Sequence, residues 1–139
     1  MNYGRIVLAT VGGMVAYLVA GFAVFGLAPQ MVNEFQKYSV VYRSREGQTA
    51  AMPAGMAAML VAIFVLAVLY TMVHQGGSGV AEGARFGALI GVFVVCAFVV
   101  HNYMLLNIGL TLTLMQAVAY FIQWAVVGTV IGLLYKPSA

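Results

Sequence analysis

The chain has 139 residues, of which 64% are hydrophobic and 6% are charged, whereas soluble domains are about 25% charged. This composition excludes an ordinary soluble domain, and the length leaves room for one domain only. The net charge of +3 rests on six cations and three acids. These are scattered at the edges of apolar runs, where Lys and Arg meet lipid headgroups, so no nucleic-acid-binding surface is expected.

Four long apolar runs divide the chain. A bilayer core about 30 Å thick requires roughly 20 helical residues to cross it, and runs of this length without strict alternation are helices. The predicted spans are residues 6–28, 53–74, 81–104 and 110–135, with a loop at 29–52. The sequence therefore predicts an all-α integral membrane protein: a four-transmembrane-helix antiparallel bundle that forms a single domain over residues 1–139.

The first span ends at Pro29, whose ring and missing amide stop a helix. In the loop, four apolar or aromatic side chains recur at i, i+4, i+7 and i+11, and these are Met31, Phe35, Tyr38 and Tyr42. That spacing predicts a short amphipathic helix on the membrane surface. The alternative is an irregular loop with aromatic anchors. Residues 43–47 are expected to form a solvated turn.

The second span is predicted to start at Pro53, a favoured first helical residue, and to end near His74. A flexible break at residues 75–79 follows. Glu82 opens the third span, where a carboxylate is favourable against the helix dipole. It can pair with Arg85 or fix the inner end of the bundle. Residues 105–109 are expected to make a tight hairpin into the fourth span.

An even number of spans puts both termini on one side of the membrane. The cations on that side are Arg5, Arg85 and Lys136, and those on the other side are Lys37, Arg43 and Arg45. Because the first three lie at span ends, and the long loop tolerates translocation best, we expect both termini in the cytoplasm. The expected location is the plasma membrane, in a bacterium the inner membrane. The equal counts leave dual insertion open.

Small residues recur on one face of each predicted span, and such faces let membrane helices approach closely. The helix-packing candidates in the last two spans are Gly83, Gly87, Gly91, Gly128 and Gly132. The first span has two stripes, one of Gly13 and Gly21 and one of Gly12, Ala16 and Ala20, and the second span has a ladder of Ala54, Ala58 and Ala62. Either all these faces pack within the chain, or one is spare for a partner. The third-span ladder is the face we expect to point outward in the second case.

A polar stripe marks the fourth span. Thr113, Gln116, Tyr120 and Gln123 follow at intervals of three and four, so they share a direction. Gln123 lies near mid-bilayer and needs a partner, for which Tyr17 at similar depth in the first span is the candidate. Tyr17, Gln116, Tyr120 and Gln123 could line a route for a small solute. They could equally make interhelical hydrogen bonds.

The two histidines are predicted at opposite membrane surfaces, too far apart to share a metal or haem. The spacing of Ala97 and His101 resembles that of the small residue and histidine with which light-harvesting polypeptides ligate chlorophyll. This resemblance implies a pigment on His101. The alternative is a polar outer rim that hydrogen-bonds the hairpin and the long loop, formed by His101, Asn102, Tyr103 and Asn107. Cys96 stands alone, so no disulfide or thiolate metal site is expected, and no cofactor is predicted.

No nucleophile–base pair, metal cluster or phosphate loop occurs, so no enzymatic activity is expected. No acid lies deep in a span, although buried carboxylates mark proton-coupled transport. The sequence favours a non-catalytic accessory or structural subunit in the lipid bilayer. Its partner would be a second copy or a larger membrane protein. The alternative is a small oligomeric channel or carrier that uses the fourth-span stripe.

Overall fold

The computed structural model describes residues 2–135, which contain helices and no strand. The helices are α1 (Tyr3–Leu27), α2 (Pro29–Gln36), α3 (Arg45–Val73), α4 (Gly79–Leu105) and α5 (Leu110–Leu134). All but α2 are long and apolar enough to cross a membrane. The predicted all-helical class and the four long apolar helices are thereby confirmed. Lys136, one of the cations used for orientation, lies outside the described residues.

The first loop contains the short helix that its spacing predicts, although the helix is shorter than the pattern. Pro29 is its first residue, and Met31 is 3% exposed beneath it. The helix ends at Gln36, and Tyr38 and Tyr42 follow in turns. Lys37, just beyond α2, pairs with Glu34. The hydrogen bond to Glu34 and its negative charge raise the pKa of Lys37 above the ordinary value.

The second long helix begins well before Pro53, so the predicted solvated turn over residues 43–47 and the predicted start were wrong. Ser44 caps α3, and its Oγ accepts a hydrogen bond from the Gly47 amide at 3.2 Å. Gln48 Nε2 donates a hydrogen bond to the Arg43 carbonyl at 2.9 Å, and this bond also supports the start of α3. Such a side-chain cap stabilises a helix start by about 1 kcal/mol, and the helix continues through the proline although an interior proline costs about 3 kcal/mol. Pro53 consequently lies inside α3.

The helix α4 is not regular throughout. Residues Val95–Val100 form a π-helical segment between regular helix on either side. The wider π-turn accommodates an extra residue. It leaves Val99 fully buried and Cys96 exposed.

The central element is α5, which packs against α4 on one side and α1 on the other, while α3 packs against α1. The core draws residues from α1, α3 and α5, and its largest fully buried side chains include Ile6, Ile63, Tyr70, Val127 and Ile131. Tyr70 also links α3 to α4, because its ring lies 5.5 Å from that of Phe86. Among the four long helices, α5 therefore has the largest share of buried residues.

Candidate interaction site

The glycines of α4 and α5 meet each other inside the chain. Gly83, Gly87 and Gly91 are buried, as are Gly128 and Gly132. A Cβ atom built on Gly87 would lie 2.5 Å from the Trp124 carbonyl oxygen and 2.9 Å from the Gly128 Cα. These distances are shorter than any carbon contact allows, so only glycine permits this approach. The third-span ladder therefore faces α5. It does not point outward, as we expected for the case in which one ladder is spare for a partner.

The Gln123 amide is used within the chain. Its Nε2 donates a hydrogen bond to the backbone carbonyl of Tyr17 at 2.9 Å, so Tyr17 is the partner through its main chain and not its hydroxyl. Gly21, one turn further along α1, leaves room for the amide, because a Cβ there would lie 2.9 Å from Nε2. The Tyr17 ring packs instead on Trp124, with ring centroids 5.7 Å apart.

The first part of α5 is joined to the first loop by two hydrogen bonds, and Thr113 bonds within its own helix end. Gln116 Nε2 donates to the Tyr42 hydroxyl at 3.2 Å. The Gly109 amide at the start of α5 donates to the Tyr38 hydroxyl at 2.9 Å. Thr113 Oγ1 donates to the Gly109 carbonyl at 3.1 Å. Three side chains of the predicted stripe therefore donate hydrogen bonds within the chain, and the fourth, Tyr120, is half-buried.

The predicted outer rim is open to its surroundings. His101, Tyr103 and Asn107 are exposed, and Asn102 is half-buried. The loop reaches the α4–α5 hairpin through Tyr38 and Tyr42, which the prediction did not assign to this role. Within the described residues no group of three or more His, Cys, Asp or Glu side chains could hold a metal ion.

A hydrogen bond between a histidine and a carboxylate joins the end of α3 to the start of α4. His74 Nδ1 donates to Glu82 Oε2, and the His74 side chain is only 7% exposed. Glu82 also accepts hydrogen bonds from the Gly77 amide at 2.8 Å and the Gln75 amide at 3.3 Å. Gly76 enables the turn with φ of +83°. Glu82 therefore fixes this end of the bundle, the second of its two predicted roles, and its partner is His74 and not Arg85.

Replacing Glu82 by Gln should loosen this turn. The amide keeps one acceptor but loses the charge and the second acceptor, so the Gly77 and Gln75 amides lose charge-assisted bonds. We expect faster hydrogen–deuterium exchange over residues 74–79, measured by mass spectrometry in detergent. Glu46→Gln, at an exposed carboxylate in the first turn of α3, is the matched control. Equal exchange in the two variants would contradict the role of Glu82.

An apolar groove of about 1070 Å³ lies between α1 and α5. Small residues form its floor, and these include Gly12, Ala16, Ala20, Ala23 and Ala119. Branched side chains form its walls: Val15 and Val19 on α1, and Leu114, Val118, Ile122, Val126 and Val130 on α5. Among the described residues, the polar side chain in the lining is Gln30, at the loop end. A second depression of about 250 Å³ lies between α4 and α5 beside Cys96.

Comparisons with protein-family models, with curated protein sequences and with solved structures give no match to this chain. The site must therefore be interpreted from its own geometry.

Several residues of the site escaped the sequence prediction. The spacing predicts Tyr38 and Tyr42 only as surface aromatics, although their hydroxyl groups can accept hydrogen bonds. The pairing of His74 with Glu82 could not be predicted, because it depends on the geometry of the glycine turn between them. The α1 stripe of Gly12, Ala16 and Ala20 was recognised, but its position beside an open groove depends on which helices meet.

Proposed function

We propose that the four long helices cross the membrane as an antiparallel bundle and that the protein acts as a non-catalytic accessory or structural subunit. Their length and apolar composition support insertion. The location proposed is the plasma membrane, in a bacterium the inner membrane, with both termini in the cytoplasm. In this proposal the protein works by binding another transmembrane segment through the α1–α5 groove.

The groove is the observation that carries this proposal. The glycines of α4 and α5 pack against each other, and Gly12 of α1 packs against Leu134, whereas Ala16 and Ala23 of α1 line the open groove. Membrane helices associate where small residues let backbones approach, because lipid tails are as apolar as the helices. A groove with a small-residue floor is therefore the surface best suited to receive a further helix.

The carrier alternative has less support. A solute route along α5 requires polar groups that face it, yet Gln116 and Gln123 donate their amide hydrogens to Tyr42 and Tyr17. The large groove has almost no polar lining. A polar solute that enters an apolar groove loses its hydrogen bonds to water and gains none from the lining, which is unfavourable.

Native mass spectrometry of the protein extracted from its own membrane in mild detergent tests the proposal. We expect a defined complex heavier than the monomer, and we expect Ala16→Leu, which fills the floor of the groove, to reduce it about tenfold through steric overpacking. The matched control is Ala58→Leu at an exposed position of α3. A wild-type monomer without bound protein, or equal loss in both variants, would contradict the proposal.

A further inference from the structure

We infer that the turn between α3 and α4 is a proton-sensitive clasp, which is closed while His74 is neutral and opens when its imidazole takes up a proton. This inference does not depend on the proposed accessory function. It rests on the surroundings of the two imidazole nitrogens, because one is hydrogen-bonded and the other is buried without a partner among the described residues.

The hydrogen-bonded nitrogen fixes which form the ring takes. The carboxylate of Glu82 accepts from the backbone amides of Gln75 and Gly77, and it also contacts His74 Nδ1. An ionised carboxylate only accepts hydrogen bonds, so Nδ1 has the hydrogen. In a neutral ring Nε2 is then an acceptor, whereas in a charged ring it becomes a second donor. The environment of Nε2 therefore decides which charge the closed turn accommodates.

The environment of Nε2 suits the neutral ring. Aromatic rings surround His74: the ring centroid of Tyr70 lies 5.5 Å away and that of Tyr135 lies 6.1 Å away. The Tyr70 hydroxyl is on the side of Nδ1, at 3.5 Å. A neutral Nε2 leaves one weak acceptor unpaired, but a protonated Nε2 leaves a charged donor unpaired, which is more costly. Protonation therefore disfavours the closed turn at this nitrogen.

The attraction of Glu82 for an imidazolium acts in the opposite direction. The titratable groups in contact with His74 are Tyr70 on α3, Glu82 on α4 and Tyr135 after α5, and of these only a carboxylate is charged at neutral pH. The Glu82 charge is already shared by two backbone amides and lies at the positive end of α4. Its side chain is 23% exposed, so water screens it. An open turn keeps part of this attraction and also hydrates Nε2, so proton uptake favours opening.

The turn has the backbone freedom to open. Residues 74–78 belong to no helix, and Gly76 has a φ of +83°. The Gln75 and Gly77 amides are held by the same carboxylate that holds His74, so release of the imidazole loosens both bonds. Histidine changes its charge between about pH 5 and 8. The clasp is therefore expected to be closed at the upper end of this range and to open as the pH falls.

Hydrogen–deuterium exchange over residues 75–79, measured by mass spectrometry in detergent, tests the clasp. After correction for the intrinsic pH dependence of amide exchange, we expect about tenfold faster exchange at about pH 5.5 than at about pH 7.5. His74→Gln should remove this increase, because its amide can donate to Glu82 but takes up no proton in this range. His101→Gln, at an exposed histidine near the other end of α4, is the matched control and should keep the wild-type response.

Several results would overturn the clasp. Exchange in the wild type that is unchanged or slower at the lower pH is one, and an equal increase in His74→Gln is another. Nitrogen-15 chemical shifts of the His74 ring give a second measurement that does not require the variant to fold. We expect the shifts of a neutral ring with its hydrogen on Nδ1 at about pH 7.5. Shifts of an imidazolium in the closed turn at that pH would contradict the inference.

Discussion

Replacing Gly87 by Ala should lower the free energy of unfolding by about 1–3 kcal/mol, the usual cost of overpacking, although it adds only a methyl group. The new Cβ would lie 2.5 Å from the Trp124 carbonyl oxygen, 2.9 Å from the Ala125 carbonyl oxygen and 2.9 Å from the Gly128 Cα. All three are backbone atoms of α5, so no side-chain rotation can relieve the clash. The two helices must separate, and the contacts on either side of Gly87 weaken with them.

Gly55→Ala is the matched control for this prediction. Gly55 lies inside α3, and a Cβ there meets nothing within 4 Å. The Gly55→Ala substitution should stabilise the helix by up to about 1 kcal/mol, since Ala is the better helix former. Both variants can be compared by unfolding in mixed micelles, followed by circular dichroism. If Gly87→Ala were as stable as Gly55→Ala, the close contact of α4 with α5 would be wrong.

The contrast between these two glycines shows what the sequence could predict. The spacing of Gly83, Gly87 and Gly91 correctly identified a face made for close approach. It could not identify which helix that face meets, because every long helix has a face with small residues. The structure packs the ladder against α5, so the ladder expected as the spare face is in contact within the chain. The α1 stripe is open only in part, because Ala20 is buried and Gly12 packs against Leu134.

Hydrophobicity also does not show which apolar side chains are buried in the bundle. On α5, Val127 is fully buried whereas Val118 is 60% exposed. In a soluble protein a polar residue would mark the exposed side, but in lipid both positions favour an apolar side chain. Spans can therefore be predicted from composition, while the groove beside Val118 cannot. Polar residues are more informative: the depth of Gln123 and Tyr17 correctly suggested that their helices meet.

Removing the ring of Tyr70 should be the other severe change. Tyr70 is 1% exposed, and its ring lies 5.5 Å from Phe86 on α4 and 6.0 Å from Tyr135 after α5. The same ring packs on His74, so it joins the end of α3 to two other helices. We expect Tyr70→Ala to loosen this end of the bundle and to expose the His74–Glu82 turn to hydrogen exchange.

The size of this effect follows from the membrane environment that we propose for the four long helices. In water, an aromatic-to-alanine change in a core costs about 3–5 kcal/mol, which includes transfer of the ring out of water. An unfolded chain in lipid keeps its rings in an apolar medium, so that transfer contribution is largely absent and the cavity remains. A cavity on the order of 100 Å³, at about 24 cal/mol per Å³, gives about 2 kcal/mol.

Tyr70→Phe separates the ring from the hydroxyl group. The hydroxyl lies 3.5 Å from both His74 Nδ1 and the Gly79 carbonyl oxygen, which is too long for a strong hydrogen bond. Unfolding in mixed micelles should therefore place Tyr70→Phe within about 0.5 kcal/mol of the wild type. Equal destabilisation by Phe and Ala would instead make the hydroxyl the essential group. The connection of α3 to α4 would then depend on polar contacts with His74 and Gly79, and not on packing around the ring.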